Sequence, residues 1–465
     1  MAIVRVSDLL ARLNTHAQTA IRKADANNSG SLSAAEIPSV TASLQAEVAS
    51  ARRPGYSLSV PGFNDAFARY ASSVLQRADT NADGSLSDAE QRRLPTMLAD
   101  NVLEVMGRPT TPVIPTDPVV IPTVPTPVRG GTFGISGTVP ANKVTLKTIL
   151  DRGLNRPTAM AFNPTDKTMW VVNFGDDSSV IVRDAGTSRQ SAKRFQDDSA
   201  HFMNNPMAIA FARGRNEFAT VQDTDNDYNA GHHGNMFMGP TLWTADTRIF
   251  QGGTQSHLDM LHHSPNAMGI AAGADGTRRE YWVANGMEGS LDRYFFNTPH
   301  ALGADDHTDG LTYRYGKGSL RRVPGVPSHM ALNAGGTLFI ADTGNGRIAT
   351  FDTTRASMRG NPTAAHHGET PLVAATGPAL QTFAGRSAGL KAPSGLILKG
   401  DNVVVSDYAT GHILVFGSDG QVKGDVDTGL GPNTLMGLTE TPSGALYVID
   451  SKKNRIVEVT VGATA

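Results

Sequence analysis

The sequence predicts a multidomain chain: a small all-α domain over residues 1–108, a Pro/Thr-rich linker over 109–130, and an all-β six-bladed propeller over 131–465. Three observations lead there. Apolar residues near the N-terminus recur at spacings of three and four. Proline then recurs every few residues through a short stretch. Beyond it, one pattern of short strands and tight turns returns six times.

Bulk composition narrows the function classes. The chain has 465 residues, a net charge of −2, 48 glycines, three tryptophans and no cysteine. Near-balanced charge gives no electrostatic basis for nucleic-acid binding. The lack of cysteine excludes disulfides, thiolate metal sites and cysteine nucleophiles. No apolar run approaches the ~20 residues of a membrane span. The N-terminal MAIVRVSDLLARLNTHAQ lacks the apolar core of a signal peptide. Either export does not use that route or a signal has been removed; the Thr-Pro linker itself suits an extracytoplasmic protein, secreted or periplasmic.

In the N-terminal part, Leu9, Leu10, Leu13, Ala17, Ala20, Ile21 and Ala24 keep a helical spacing. Two twelve-residue loops interrupt the helices. The first sets Asp25, Asn27 and Ser29 at positions 1, 3 and 5, Ser31 at 7 and Glu36 at 12; the second sets Asp79, Asn81, Asp83, Ser85 and Glu90 likewise. Gly30 and Gly84 occupy position 6, where the chain turns sharply. This is an oxygen-only ligand set with a bidentate glutamate at its end, which suits Ca2+. The loops resemble the EF-hand family, and the resemblance implies that Leu32 and Leu86 meet in a short β contact between them. Loop one offers two carboxylates and loop two offers three, so the second site is expected to bind calcium more tightly.

The linker PTTPVIPTDPVVIPTVPTP reads as a polyproline II spacer. After it, each copy of the repeat opens with a strand after a proline, at Pro157, Pro206, Pro265, Pro327, Pro393 and Pro432. The second strand of each copy ends in Asn173, Asp223, Asn285, Asp342, Asp407 or Asp450, short side chains that can hydrogen-bond the following turn. Six copies near ~40–50 residues apart indicate a propeller. The sixth copy stops after three strands, and 143–149 (KVTLKTI) is expected to supply its fourth and close the ring. The copies resemble the NHL-repeat family, most clearly in 341–348 (ADTGNGRI) and 449–456 (IDSKKNRI).

Histidines gather where the inner strands begin. His232 and His233 lie in a long insertion after Asp223; His257, His262 and His263 lie on the way into the third blade; His329 opens the fourth inner strand and is expected to face the central channel. Imidazoles from neighbouring blades, without cysteine, point to a transition-metal site. His233, His263 and His329 are its first candidates, with His232, His257 and His262 behind them. Met236, Met238, Met260, Met268 and Met330 accompany them. Thioethers beside imidazoles favour copper over zinc, although methionine also fills core gaps. A further polar stretch holds Asp305, Asp306, His307, Asp309, Tyr313, Arg314 and Tyr315. It reads as a solvated loop or as groups supporting acid–base chemistry. Asp223, Asp225 and Asp227 form a weaker cation candidate, and His366 and His367 read as surface residues.

The segment 327–332 (PSHMAL) resembles a ligand strand of peptidyl-α-hydroxyglycine amidating lyase, a six-bladed propeller with histidine-bound zinc. The histidine here stands one residue further from the proline than in that family. Blades five and six carry Ser394-Gly395 and Asn433-Thr434 at comparable places, so that ligand set is not reproduced. The expected function is a calcium-binding propeller protein with a His-lined copper or zinc site, acting as a metal-dependent oxidoreductase or lyase. The alternative is a non-catalytic module that binds a small molecule, peptide or glycan, with calcium ordering the N-terminal domain. No catalytic residue is assigned.

Overall fold

The computed structural model describes residues 32–33, 85–86, 137–197, 201–225, 238–304, 306, 308–362 and 372–462. The chain divides into two compact units, Met1–Val124 and Pro125–Ala465. In the first unit, two short strands are described. Leu32–Ser33 pairs antiparallel with Ser85–Leu86, with Leu32 opposite Leu86 and Ser33 opposite Ser85. Position 8 of one twelve-residue loop thus faces position 8 of the other. Among the proposed calcium ligands only Ser85 belongs to these strands; Asp25, Asn27, Ser29, Ser31, Glu36, Asp79, Asn81, Asp83 and Glu90 lie outside the described residues.

The second unit is an all-β six-bladed propeller. The innermost strands of blades one to six are Pro157–Phe162, Pro206–Phe211, Ala267–Ala272, Met330–Leu332, Pro393–Lys399 and Leu435–Glu440. Each blade is an antiparallel sheet built outward from that strand. Blade six closes as the repeats imply. Its third strand, Arg455–Val461, pairs with Val144–Leu150 from the start of the propeller. Interlocking the two ends in one sheet leaves no blade to fray independently. Blades three and five are extended by parallel strands, Leu372–Ala375 on the former and Gly137–Val139 on the latter.

Apolar residues on both faces of these sheets form clusters between neighbouring blades. Trp170, Phe218, Trp243 and Phe250 fill the seam of blades one and two, and Trp282, Leu338 and Phe351 that of three and four. The three tryptophans are fully buried, and each indole N–H donates to a nearby oxygen: Trp170 to Thr168, Trp243 to Thr220 and Trp282 to Glu280. Burial of an indole without such a partner would cost free energy.

The residues ending the second strands act as turn organisers. Asp342 accepts from Arg321 N at 3.0 Å and from Arg347 Nε at 2.7 Å. Asp450 accepts from Lys453 N and Arg455 Nε, and Asp407 from Lys391 N and Ala392 N. Each carboxylate therefore ties the turn that follows its own strand, or the connection leading into its blade, to the buried sheet end.

Candidate functional site

Every inner strand begins at the central channel, and a β-bulge recurs there. In blade one Pro157 pairs with Asn173 and Ala159 with Val172, which leaves Thr158 as the extra residue. The same shift occurs in blades two, three, five and six. A bulge re-aims the neighbouring side chains. The bulge residues also stitch blades together: Thr158 Oγ1 donates to Pro206 O at 2.7 Å, and Ser394 Oγ to Met436 O at 3.0 Å.

This register aligns one position across the ring: Ala159, Ala208, Gly269, His329, Gly395 and Gly437. Five are alanine or glycine and one is histidine. The small residues make room for the imidazole. A Cβ at Gly437 would stand 2.7 Å from His329 Cε1 and 2.9 Å from Thr158 O, and one at Gly269 would stand 1.9 Å from Ser328 O. His329 faces the channel as expected. Its Nε2 lies 3.4 Å from the Met207 carbonyl of blade two, and its backbone N–H donates to Ser394 O of blade five at 3.0 Å. It remains partly accessible through the channel, yet its ring is crowded by protein. Desolvation lowers its pKa to about 4, against a smaller opposing effect of the Met207 carbonyl.

The connection into blade three, residues 261–266, is held from beneath by a buried polar network. Asp292 is 0% exposed and pairs with Arg314 Nη2 at 2.7 Å and Nε at 2.9 Å. Ser264 Oγ and Asn285 Nδ2 also donate to Asp292, at 2.7 and 2.9 Å. Burial alone would raise the Asp292 pKa. The Arg314 charge and the hydrogen bonds outweigh it and hold the carboxyl below its usual range. Tyr294 donates to the His262 carbonyl at 2.8 Å, and Asn285 Nδ2 to that of His263 at 3.0 Å, an oxygen that Arg314 also reaches. His263 sits at φ 90°. That left-handed backbone is strained for a residue with a side chain, and the network supplies the compensating contacts. Arg314 and Tyr313 thus belong to the fourth strand of blade three, Leu311–Tyr315, where the sequence alone suggests a solvated loop.

Further out, imidazoles meet in pairs. The His257 and His300 rings are 4.9 Å apart, and those of His201 and His262 are 6.5 Å apart. His257, His262 and Asp259 are buried. Asp309 has its pKa raised to about 6, first by desolvation and then by the charge of Asp259. Asp259 and Asp309 therefore stand close enough for their charges to interact. The long insertion of blade two rejoins this region: Ser264 N donates to Met238 O at 2.7 Å. Met238, Met260 and Met268 are buried in blades two and three, and Met330 at the start of blade four.

His232 and His233 lie outside the described residues, as do Met236, Asp305, His307, His366 and His367. Among the described residues, no three His, Asp or Glu side chains form a group able to hold a metal ion. His257 and His262 are thus each brought to another imidazole, whereas His329 stands in the channel. Asp223 is committed elsewhere: it pairs with Arg322 and accepts from Gly325 N at 2.8 Å. His201, His300 and Asp259 carry no sequence motif, and only their spatial pairing singles them out.

No family model matches the chain, and no curated protein matches it. Among solved structures it is similar to an auxiliary nutrient binding protein from Bacteroides thetaiotaomicron, with 11% identity over 69% of this chain and 77% of that chain and a TM-score of 0.47. It is also similar to regucalcin, a calcium-binding protein from Agrobacterium tumefaciens, with 13% identity over 71% and 98% and a TM-score of 0.40. A gluconolactonase from Xanthomonas campestris is similar at 15% identity over 69% and 91%, with a TM-score of 0.40.

Proposed function

We propose that this chain is a calcium-binding protein in which an EF-hand pair precedes an NHL-type propeller. The observation that carries the reading is the antiparallel pairing of Leu32 with Leu86. It joins two loops of identical ligand spacing at equivalent positions, which couples their geometry. Ca2+ would be held by Asp25, Asn27, Ser29, Ser31 and Glu36 in one loop and by Asp79, Asn81, Asp83, Ser85 and Glu90 in the other. The extra carboxylate of Asp83 makes the second site the tighter one. In titration calorimetry of single variants, Glu90→Gln removes the tighter phase and Glu36→Gln the weaker. Loss of the tighter phase in Glu36→Gln contradicts the assignment.

A second reading concerns the propeller and rests on the paired imidazoles of blades one to three. A divalent transition metal, copper or zinc, is held by histidines of the candidate set His233, His263 and His329, with His232, His257 and His262 behind them; of these, His257 and His262 each lie beside a further imidazole. Buried imidazoles suit such an ion as redox centre or Lewis acid. Elemental analysis of protein purified without a histidine tag tests it. The reading predicts about one equivalent of metal, lost in the His257→Asn/His262→Asn double variant. Metal-free protein leaves the propeller as a non-catalytic module for a small molecule, peptide or glycan.

A further inference from the structure

Blade five carries a pocket, separate from the histidine-rich blades, on the face where the inner strands begin. Its volume is about 400 Å3, and its lining includes Gly389, Lys391, Thr410, His412, Asp425 and Pro432. Lys391 comes from the connection into blade five, Thr410 and His412 from its second turn and third strand, Asp425 from its outer strand, and Pro432 from the connection into blade six.

The walls are fixed from within. Asp407, 0% exposed, accepts from Lys391 N at 2.7 Å, Ala392 N at 2.9 Å and Thr410 N at 3.1 Å. Thr428 Oγ1 donates to Gly411 O at 2.6 Å, and Asn433 N to Tyr408 O at 2.6 Å. These bonds join the turn beside His412 to both connecting segments, so the rim is organised before any ligand arrives. Inside it, His412 Nδ1 lies 2.7 Å from Asp425 Oδ1. The carboxylate accepts the Nδ1 hydrogen, which orients the ring and leaves the Nε2 lone pair as the acceptor a ligand can use.

We propose that this pocket binds a small hydroxylated carboxylate. A ligand hydroxyl donates to His412 Nε2, the Lys391 ammonium attracts the carboxylate, and Leu414 and Pro432 flank the carbon chain. The volume falls in the range of roughly 300–1,000 Å3 typical of small-molecule sites. The assignment rests on residues outside the calcium loops and outside the imidazole pairs. Its failure would therefore leave those readings untouched.

Calorimetry on the full chain with three matched four-carbon probes tests it: L-threonate, erythritol, which lacks the carboxylate, and butyrate, which lacks the hydroxyls. L-Threonate is expected to bind at least about tenfold more tightly than either control, a difference of about 1.4 kcal/mol. Lys391→Met should reduce threonate affinity to the erythritol level, and His412→Phe to the butyrate level. Asp425→Asn, which keeps the ring but weakens its orientation, should fall between wild type and His412→Phe. Intrinsic tryptophan fluorescence shows whether each variant is folded. No threonate binding at millimolar concentration by the folded wild-type chain overturns the proposal, as does threonate affinity unchanged in both Lys391→Met and His412→Phe.

Discussion

Replacing Arg314 with leucine destabilises the propeller by about 3–5 kcal/mol, because it leaves a buried carboxylate without its cation. Asp292 has no exposed surface, and Arg314 supplies two of its hydrogen bonds as well as the opposing charge. The same guanidinium reaches the His263 carbonyl, so the strained connection into blade three loses a support. Adding Asp292→Asn recovers part of the loss, since a neutral amide has no charge to desolvate. Tryptophan fluorescence during denaturant unfolding reads this directly, because all three tryptophans, Trp170, Trp243 and Trp282, lie in the propeller. A change within about 1 kcal/mol for Arg314→Leu would mean that water or backbone groups replace the guanidinium. The pair also sets an acid limit. With its folded pKa depressed, Asp292 contributes stability above the usual carboxylate range. That contribution is lost as pH falls through the folded value.

His329 makes the propeller less stable in mild acid. Its imidazole has a pKa of about 4 when folded, against an ordinary 6.5. Between those values the unfolded chain binds more protons than the folded one, so stability falls as the pH is lowered and is insensitive to this group above about 6.5. The loss is about 2–3 kcal/mol by pH 4. Asp309 acts in the opposite direction, because its folded pKa is raised to about 6 and the folded chain gains protons first. The difference between wild type and His329→Gln isolates the histidine. The glutamine amide can still donate to Met207 O but does not titrate, so the variant gains stability relative to wild type as pH falls from 6.5 to 4. Parallel curves for the two proteins would show that the channel hydrates the ring in the folded state.

The contrast between what can and cannot be read from the chain follows from how local each feature is. Blades are legible because each has its own turn chemistry: Asp342 and Asp450 each bond a turn three to five residues on. The closing strand is legible because a three-stranded final copy requires a fourth. The equivalents of His329 in blades three and six are not legible, since connections of unequal length hide the bulge that aligns Gly269 and Gly437. Asp292 with Arg314 looks like ordinary alternating polar residues until blade three buries both. The His257–His300 and His412–Asp425 contacts join residues with no shared motif, and only the ring geometry brings them together. The two proposed calcium loops are the reverse case: twelve consecutive residues contain the whole proposed ligand set, so spacing alone suggests it.

The central claim, that two loops of the N-terminal unit bind calcium, is tested most directly by the stoichiometry of calcium binding to the full chain. Isothermal titration calorimetry of wild type and of the Glu36→Gln/Glu90→Gln double variant measures it. The account predicts about two calcium ions per wild-type chain and loss of both high-affinity sites in the double variant. A double variant that still binds two calcium ions with wild-type affinity would place calcium elsewhere, and a wild-type chain that binds none would contradict the claim outright.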